Sequence, residues 1–448
     1  MTLVALAVGG AVALQAGVTR GEERPTESPP AIADDIKGSL VIIGGAARYD
    51  HEAIWGELLR LATRPGSNAK PRIAVLACAS SAPVPSGQRA VEVLRRHGAD
   101  AFFVPIAVSG LDINHREAAE EPALVEEIRR ADGVYFTGGA QGRICQALVR
   151  EDGTNSAALD AIWHVYRRGG VVAGTSAGAA VMSRVMIREA GVVLNTMLNG
   201  MKMGREIDKG LGFLDPNWFI DQHCLVRGRF ARTLVAMQEE NVKFGIGIDE
   251  DSAIVVEGTS TARVIGIRGV IMLDISEASQ DDATSEFNIR NARISYLNHG
   301  DSIDLRTRAI TPAAEKVAER KIDPNAPGYQ PGLRRRLFYN DILANSVLVD
   351  VLTRVIDHKD GLAIGMAYDG GAAQDGATTG FEFRFYRGVD SLGWESYANG
   401  ITDSTIQNIH LDVRPVLVRG PVYVDPSSSP TLPNAKPQGV VAGTPAAK

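Results

Sequence analysis

The stretch Val171-Val172-Ala173-Gly174-Thr175-Ser176-Ala177-Gly178-Ala179-Ala180 decides how this chain is read. Its apolar start reads as a short strand, Gly-x-Ser-x-Gly as a tight turn, and the small residues after it as a helix. A serine on such a turn stands at the end of a sheet with its hydroxyl exposed. The backbone N–H of the next residue and a helix N-terminus lie close to any carbonyl it attacks. The flanking glycines leave room for the sharp turn. This placement suits a nucleophile, so Ser176 is the candidate reactive group of an acyl-transfer enzyme. The alternative is a small-residue turn that merely closes an ordinary α/β unit.

Outward from this turn, strands and helices alternate. Leu40–Ile43 is a short apolar run ending in Gly44-Gly45, and an amphipathic segment follows from His51 to Thr63. Ile73–Ala77, Ala101–Ile106 and Gly133–Thr137 read as further strands. Gln88–Arg96, Ala123–Arg130, Arg143–Val149 and Ser156–Arg168 read as helices. The pattern predicts an α/β fold, a doubly wound, mostly parallel sheet with helices on both faces. Ligands of such sheets bind beyond the carboxyl ends of the strands, where Gly138-Gly139 and Ser176 fall. After Ile246 strand-like runs dominate (253–257, 262–267, 270–275, 292–297), and 324–331 reads as a linker. Residues 341–356 read as a helix, and 381–386, 406–413 and 416–424 as strands.

The expected organisation is a signal peptide over 1–17, a disordered linker over 18–37 and a catalytic α/β domain over 38–300. A mainly-β or α+β extension follows over 301–425, then a disordered tail over 426–448. Residues 1–16 are apolar and uncharged, as in the core of a secretory leader, although a basic start is missing. Export to the periplasm or medium is expected if this segment is a leader, and a cytoplasmic location if it is not. The chain has 448 residues, 45% hydrophobic and 22% charged, which is ordinary for a globular protein with a large core. A net charge of −6 without a Lys/Arg run argues against nucleic acid or anionic membrane as partners. Three scattered cysteines (Cys78, Cys145, Cys224) make neither a zinc site nor a disulfide framework, so no metal is expected, while a single disulfide stays open.

A serine hydroxyl needs a base to take its proton and a third group to hold that base. Of eight histidines, His97 sits at a helix end and His164 on an amphipathic helix. His223 differs: it closes the apolar run Trp218-Phe219-Ile220 as Asp221-Gln222-His223 and precedes the basic segment Arg227-x-Arg229-x-x-Arg232. A structural loop histidine is the plainer reading of such a residue taken alone. Gly245-Ile246-Gly247-Ile248-Asp249-Glu250-Asp251 is another strand end, with three carboxylates of which any one could orient His223.

Four motifs in this order resemble the cyanophycinase family of serine peptidases, which also includes the aspartyl dipeptidase peptidase E. They are Phe136-Thr137-Gly138-Gly139-Ala140-Gln141, Gly174–Ala180, Asp221-Gln222-His223 with its arginines, and Gly247-Ile248-Asp249-Glu250. The resemblance covers about residues 38–300. It implies a class I glutamine amidotransferase-like or flavodoxin-like architecture, although an amidotransferase would need a nucleophilic Cys where this chain has Ser176. It implies Ser176 as nucleophile, His223 as general base and Glu250 as its orienter. Gly139 and Ala177 would supply the oxyanion hole, and Gln141, Asp221, Gln222, Arg227, Arg229 and Arg232 would line the substrate pocket. Ala140 departs from the pattern, where Asp is usual. No cofactor is implied, and a homodimer is left open.

The substrate implied is cyanophycin, polyaspartate with arginine on each β-carboxylate, cut to β-Asp-Arg dipeptides. It offers carboxylates and guanidinium groups together, which arginines and an aspartate can answer. Three cations at a helix N-terminus oppose its dipole, a cluster that an anionic ligand would explain. Two other readings stand beside this one. The first is an aspartyl or isoaspartyl dipeptidase, and the second is a non-catalytic polymer-binding protein with a vestigial triad.

Overall fold

The computed structural model describes residues 36–398, 401–420 and 422. The leader, nearly all of the 18–37 linker and the 426–448 tail expected from the sequence therefore lie outside the described residues. Among the described residues, two nine-stranded sheets carry the fold. In the first, Asp100–Val104, Arg72–Leu76, Gly133–Phe136, Val171–Thr175 and Ser39–Ile43 run parallel in that spatial order. Ser252–Glu257, Thr261–Gly266, Ser302–Asp304 and Ile310–Thr311 extend it antiparallel from Ser39–Ile43.

Alternation along these buried strands makes two cores. Leu40, Ile42, Leu76, Phe136 and Val172 pack with Ile128, Ile144, Leu148 and Ile162 from the helices Pro122–Arg130, Gln141–Leu148 and Ala157–Arg167. Val41, Ile43, Ile73, Val75 and Ala173 pack with Ile54, Leu58, Val91 and Leu94 from Glu52–Ala62 and Pro83–Arg96.

The second sheet begins at Trp218–Gln222, parallel to Phe244–Ile248, and continues antiparallel through Val270–Asp274, Ile289–Leu297, Ile401–Arg419, Ala377–Ala398 and Leu362–Ala367. Ile220, Ile246 and Ile248 join the core shared with the first sheet. Phe219, Ile271 and Leu273 face the opposite way, towards Phe230 and Leu234 of the helix Phe230–Glu239 and Leu352 of Val347–Ile356.

The α/β class thus holds, but a single mostly parallel sheet is corrected to two mixed ones. The His223 strand and the Ser176 strand belong to different sheets. Connection length accounts for the antiparallel part of the first sheet. Residues 258–260 alone join Ser252–Glu257 to Thr261–Gly266, too few for the crossover that parallel pairing requires. The expected boundary at 300 is likewise not a break between sheets. Strands on both sides of it pair, Ile289–Leu297 with Ile401–Arg419 and Thr261–Gly266 with Ser302–Asp304. The helix expected over 341–356 spans Val347–Ile356, because Ser346 adopts a left-handed conformation just before it. Tyr329, in the expected linker, is tied by its hydroxyl to Asp357.

A buried ion pair fastens the segment after 300. Lys316 Nζ lies 2.9 Å from both oxygens of Asp301 and 3.2 Å from Thr405 Oγ1, and Asp301 also accepts from the backbone N–H groups of Asn298 and Ala313. Removing one partner strands a desolvated charge. Lys316→Ala is expected to lower unfolding free energy by about 3 kcal/mol in urea titration. Arg96→Ala, which breaks the exposed pair with Glu92, is expected to change it by less than about 1 kcal/mol.

Candidate active site

Three consecutive carbonyls at the end of Ser39–Ile43 gather the site. Ser176 N–H donates to Ile43 O at 3.0 Å, His223 N–H to Gly44 O at 3.0 Å, and Asp251 N–H to Gly45 O at 2.9 Å. Ser176 itself stands between the strand Val171–Thr175 and the short helix Ala177–Ala180, with φ 55° and ψ −110°. Such a conformation persists in a non-glycine residue only where the surroundings hold it. The neighbouring glycines permit it: a Cβ on Gly174 would lie 2.4 Å from Gly178 O.

The hydroxyl so presented meets the imidazole. Ser176 Oγ is 2.9 Å from His223 Nε2 and 3.5 Å from Gln222 Oε1, and His223 Nδ1 is 2.6 Å from Glu250 Oε1. The two short contacts describe Nδ1–H donating to the carboxylate and Nε2 free to accept from the hydroxyl. Burial is the largest influence on His223 and lowers its pKa. Glu250 pulls it up, Arg227 and Arg229 push it down, and the net effect is below the ordinary 6.5. The ring is therefore neutral at pH 7, as a base must be.

The three adjacent carboxylates separate by role. Asp249 Oδ1 accepts from the N–H groups of Leu225 (3.1 Å) and Val226 (3.0 Å), bracing the turn after His223, and burial holds its carboxyl above the usual range. Asp251 takes Arg48 Nε at 2.8 Å and Arg48 N–H at 3.0 Å. Glu250, between them, faces the ring.

A cavity of about 460 Å³ opens beside Ser176 and His223. Gly139, Gln141, Gln222, Arg227, Arg229 and Arg232 line it, together with Ala140 at the position that departs from the pattern. Ala177, at the first position of its helix, has an N–H without an intrahelical acceptor. Gln141 donates its amide to Ile187 O, and Arg229 Nη1 holds Gln222 by O (2.9 Å) and Oε1 (2.8 Å).

Asp221 is not available to a ligand, contrary to the expectation that it lines the pocket. It is 2% exposed and forms a two-pronged pair with Arg232 at 2.7 and 2.6 Å. Burial acts to raise its pKa, but Arg232 overrides this and holds the carboxyl below the usual range. A strand-end aspartate and a helix arginine eleven positions later meet because the helix Phe230–Glu239 packs back on its own strand. The charged lining residues that escaped the sequence reading are Arg143, Arg188 and Glu189. Arg143 sits in the first turn of the helix that Gln141 begins, a usable signal, whereas Arg188 and Glu189 lie on a loop with no motif.

The sequence model of Peptidase family S51 matches residues 82–264. Cyanophycinases of Nostoc sp. and Trichormus variabilis are each 30% identical over 291 residues, covering 63% of this chain and 90% of the relative. The chain belongs to peptidase family S51. It is thus a peptidase related to cyanophycinases, and that of Geminocystis herdmanii matches at 30% over 280 residues, 95% of its length. Among solved structures, a peptidase from an acI-B1 Actinobacterium is similar over 60% of this chain and 98% of its own, with TM-score 0.44 and 22% identity.

In this S51 peptidase the ring of His223 rests on Gly45, whose φ is +134°. A Cβ there would lie 2.2 Å from His223 Cε1 and 2.5 Å from Nε2. Gly45→Ala is expected to displace the imidazole and slow labelling of the protein by a fluorophosphonate probe by roughly 100-fold, by the sensitivity of reaction to misplacement of about 1 Å. Intact-mass spectrometry over time measures it.

Proposed function

We propose that this S51 peptidase is of serine type and hydrolyses cyanophycin to β-Asp-Arg dipeptides. Ser176 Oγ attacks the scissile carbonyl as its proton passes to His223 Nε2, and Glu250 holds the imidazolium that forms. The N–H groups of Gly139 and Ala177 receive the developing oxyanion. The C–N bond then breaks, His223 returns the proton to the departing amine, and an ester on Ser176 remains. Water, deprotonated by the same imidazole, releases the acyl group and restores the serine.

The observation that carries this reading is the continuous Ser176–His223–Glu250 chain of contacts at 2.9 and 2.6 Å. The substrate rests on two supports. One is the kinship with proteins named cyanophycinase. The other is a cavity with five lining arginines, suited to a ligand rich in carboxylates.

Ser176→Ala is expected to lower turnover by about four decades or more while the protein stays folded. Product analysis by mass spectrometry after incubation with insoluble cyanophycin tests both parts: wild type should release β-Asp-Arg and the variant none. Release from Asp-Xaa dipeptides alone would instead make the protein an aspartyl dipeptidase.

The lowered pKa of His223 carries its own expectation. Activity is lost as pH falls through the value at which the ring protonates, so the acid limb of kcat/KM should lie below 6.5. Arg227 disfavours protonation, and Arg227→Gln should therefore move that limb upward, by roughly half a pH unit for an exposed charge. A limb that stays or moves down contradicts the electrostatic account.

A further inference from the structure

With Asp221 closed onto Arg232, the guanidinium of an arginyl substrate needs another acceptor. Among the described residues lining the cavity, Glu189 is the one carboxylate. It is exposed, stands on the loop between Val185–Ile187 and Val193–Asn199, and makes no ion pair among the described residues.

The cations around it are unequally compensated. Arg232 is neutralised by Asp221 at 2.6 Å, Arg188 lies 3.5 Å from Asp208, and Arg227 lies 3.8 Å from Glu250. Arg143 and Arg229 have no carboxylate within ion-pair distance among the described residues. The cavity therefore presents two cations without a paired carboxylate, Arg229 being bonded to Gln222 and reached by Asp221 only at longer range, and one carboxylate without a paired cation. A terminal repeat of polyaspartate bearing β-linked arginine has the complementary set: the free carboxylate of the backbone end, the carboxylate of the arginine, and one guanidinium.

We infer that Glu189 is the specificity-determining acceptor for the substrate guanidinium, with Arg143 and Arg229 forking onto the two carboxylates. The assignment rests on the arginyl polymer being the substrate. A carboxylate at the cavity mouth suits a long side chain that reaches away from the reacting carbonyl, and guanidinium–carboxylate pairing adds directionality to charge. Loss of the charge should register as lost discrimination, because the guanidinium then loses a counter-charge that its neutral isostere does not use.

The test is a comparison of kcat/KM on an oligomer of β-arginyl aspartate and on the same oligomer carrying citrulline, the neutral isostere. Wild type should prefer the arginyl form. Glu189→Gln should reduce that preference about tenfold, Glu189→Asp should keep most of it, and added salt should erode it in wild type. A Glu189→Gln enzyme with the wild-type ratio overturns the assignment, and so does equal loss on both substrates, which would reflect positioning rather than charge. Wild type that leaves the arginyl oligomer intact while cleaving other aspartyl peptides overturns the polymer reading itself, and Glu189 with it. The wild-type rates judge the substrate, and the variant's ratio judges Glu189.

Discussion

The carbonyls of Ile43, Gly44 and Gly45 are the point on which the site depends. Each accepts one N–H from a different stretch of chain: the serine elbow, the histidine loop and the acidic turn. The strand Ser39–Ile43 lies between Val171–Thr175 and Ser252–Glu257, so two of these stretches arrive from its own sheet neighbours. The third, His223, arrives from the other sheet. Because Gly44 N–H also bonds Ser252 O at 3.0 Å, the strand end is held from both sides. Backbone bonds of this kind fix position independently of side-chain rotamers. The imidazole then lies within 3 Å of the alcohol on one edge and of the carboxylate on the other.

The passage from Ile248 to Ser252 explains why the carboxylates come as a triplet. In three residues the chain leaves the second sheet and enters the first. One carboxylate ties the histidine turn through Asp249, one ties the loop after the first strand through Asp251, and the residue between them faces the ring. Asp249 and Asp251 use their charge on backbone N–H groups and on Arg48, so neither competes for the imidazole. The division also sets the electrostatics. Glu250 favours the imidazolium, burial and two arginines disfavour it, and burial is the larger influence. A base held neutral at rest but paired with a carboxylate is ready to accept a proton and to be stabilised once it has done so.

Much of this could be read from the residues, and what could not has a common cause. Strands of the parallel half were legible because each is a continuous apolar run bounded by turn residues, and Arg72–Leu76 and Gly133–Phe136 fall within a residue or two of the expected positions. The elbow was legible because Gly-x-Ser-x-Gly is a local requirement. Which strands pair is not local. Nothing in Trp218–Gln222 indicates that it belongs to a second sheet, and a strand there can approach Ser176 from either. The same holds for Asp221: its sequence neighbours suggest a pocket residue, and only the return of the helix Phe230–Glu239 brings Arg232 onto it. Residues 377–419 show the converse error, where short apolar runs merge into the long paired strands Ala377–Ala398 and Ile401–Arg419 with a register shift between Arg387 and Leu392.

That hairpin and the segment before it bear directly on the arginines of the cavity. Ser346 N–H donates to Leu225 O at 3.0 Å, two residues after His223, and a Cβ on Gly228 would lie 2.2 Å from Leu343 O. Gly228, between Arg227 and Arg229, is thus pressed against the chain just before the helix Val347–Ile356. Phe230, the first residue of the helix that carries Arg232, meets Phe383 of the hairpin edge-on with ring centres 5.7 Å apart. The turn from His223 to Phe230 is consequently held on one side by Asp249 and on the other by residues beyond 340. Cations placed at a helix N-terminus work against its dipole and against one another, and a free loop would relax to separate them. Here the relaxation is opposed by packing that comes from outside residues 82–264, the stretch matched by the family model. The segment after residue 300 is therefore part of what keeps Arg227 and Arg229 at the cavity, and through Arg229 it also fixes Gln222 beside the serine.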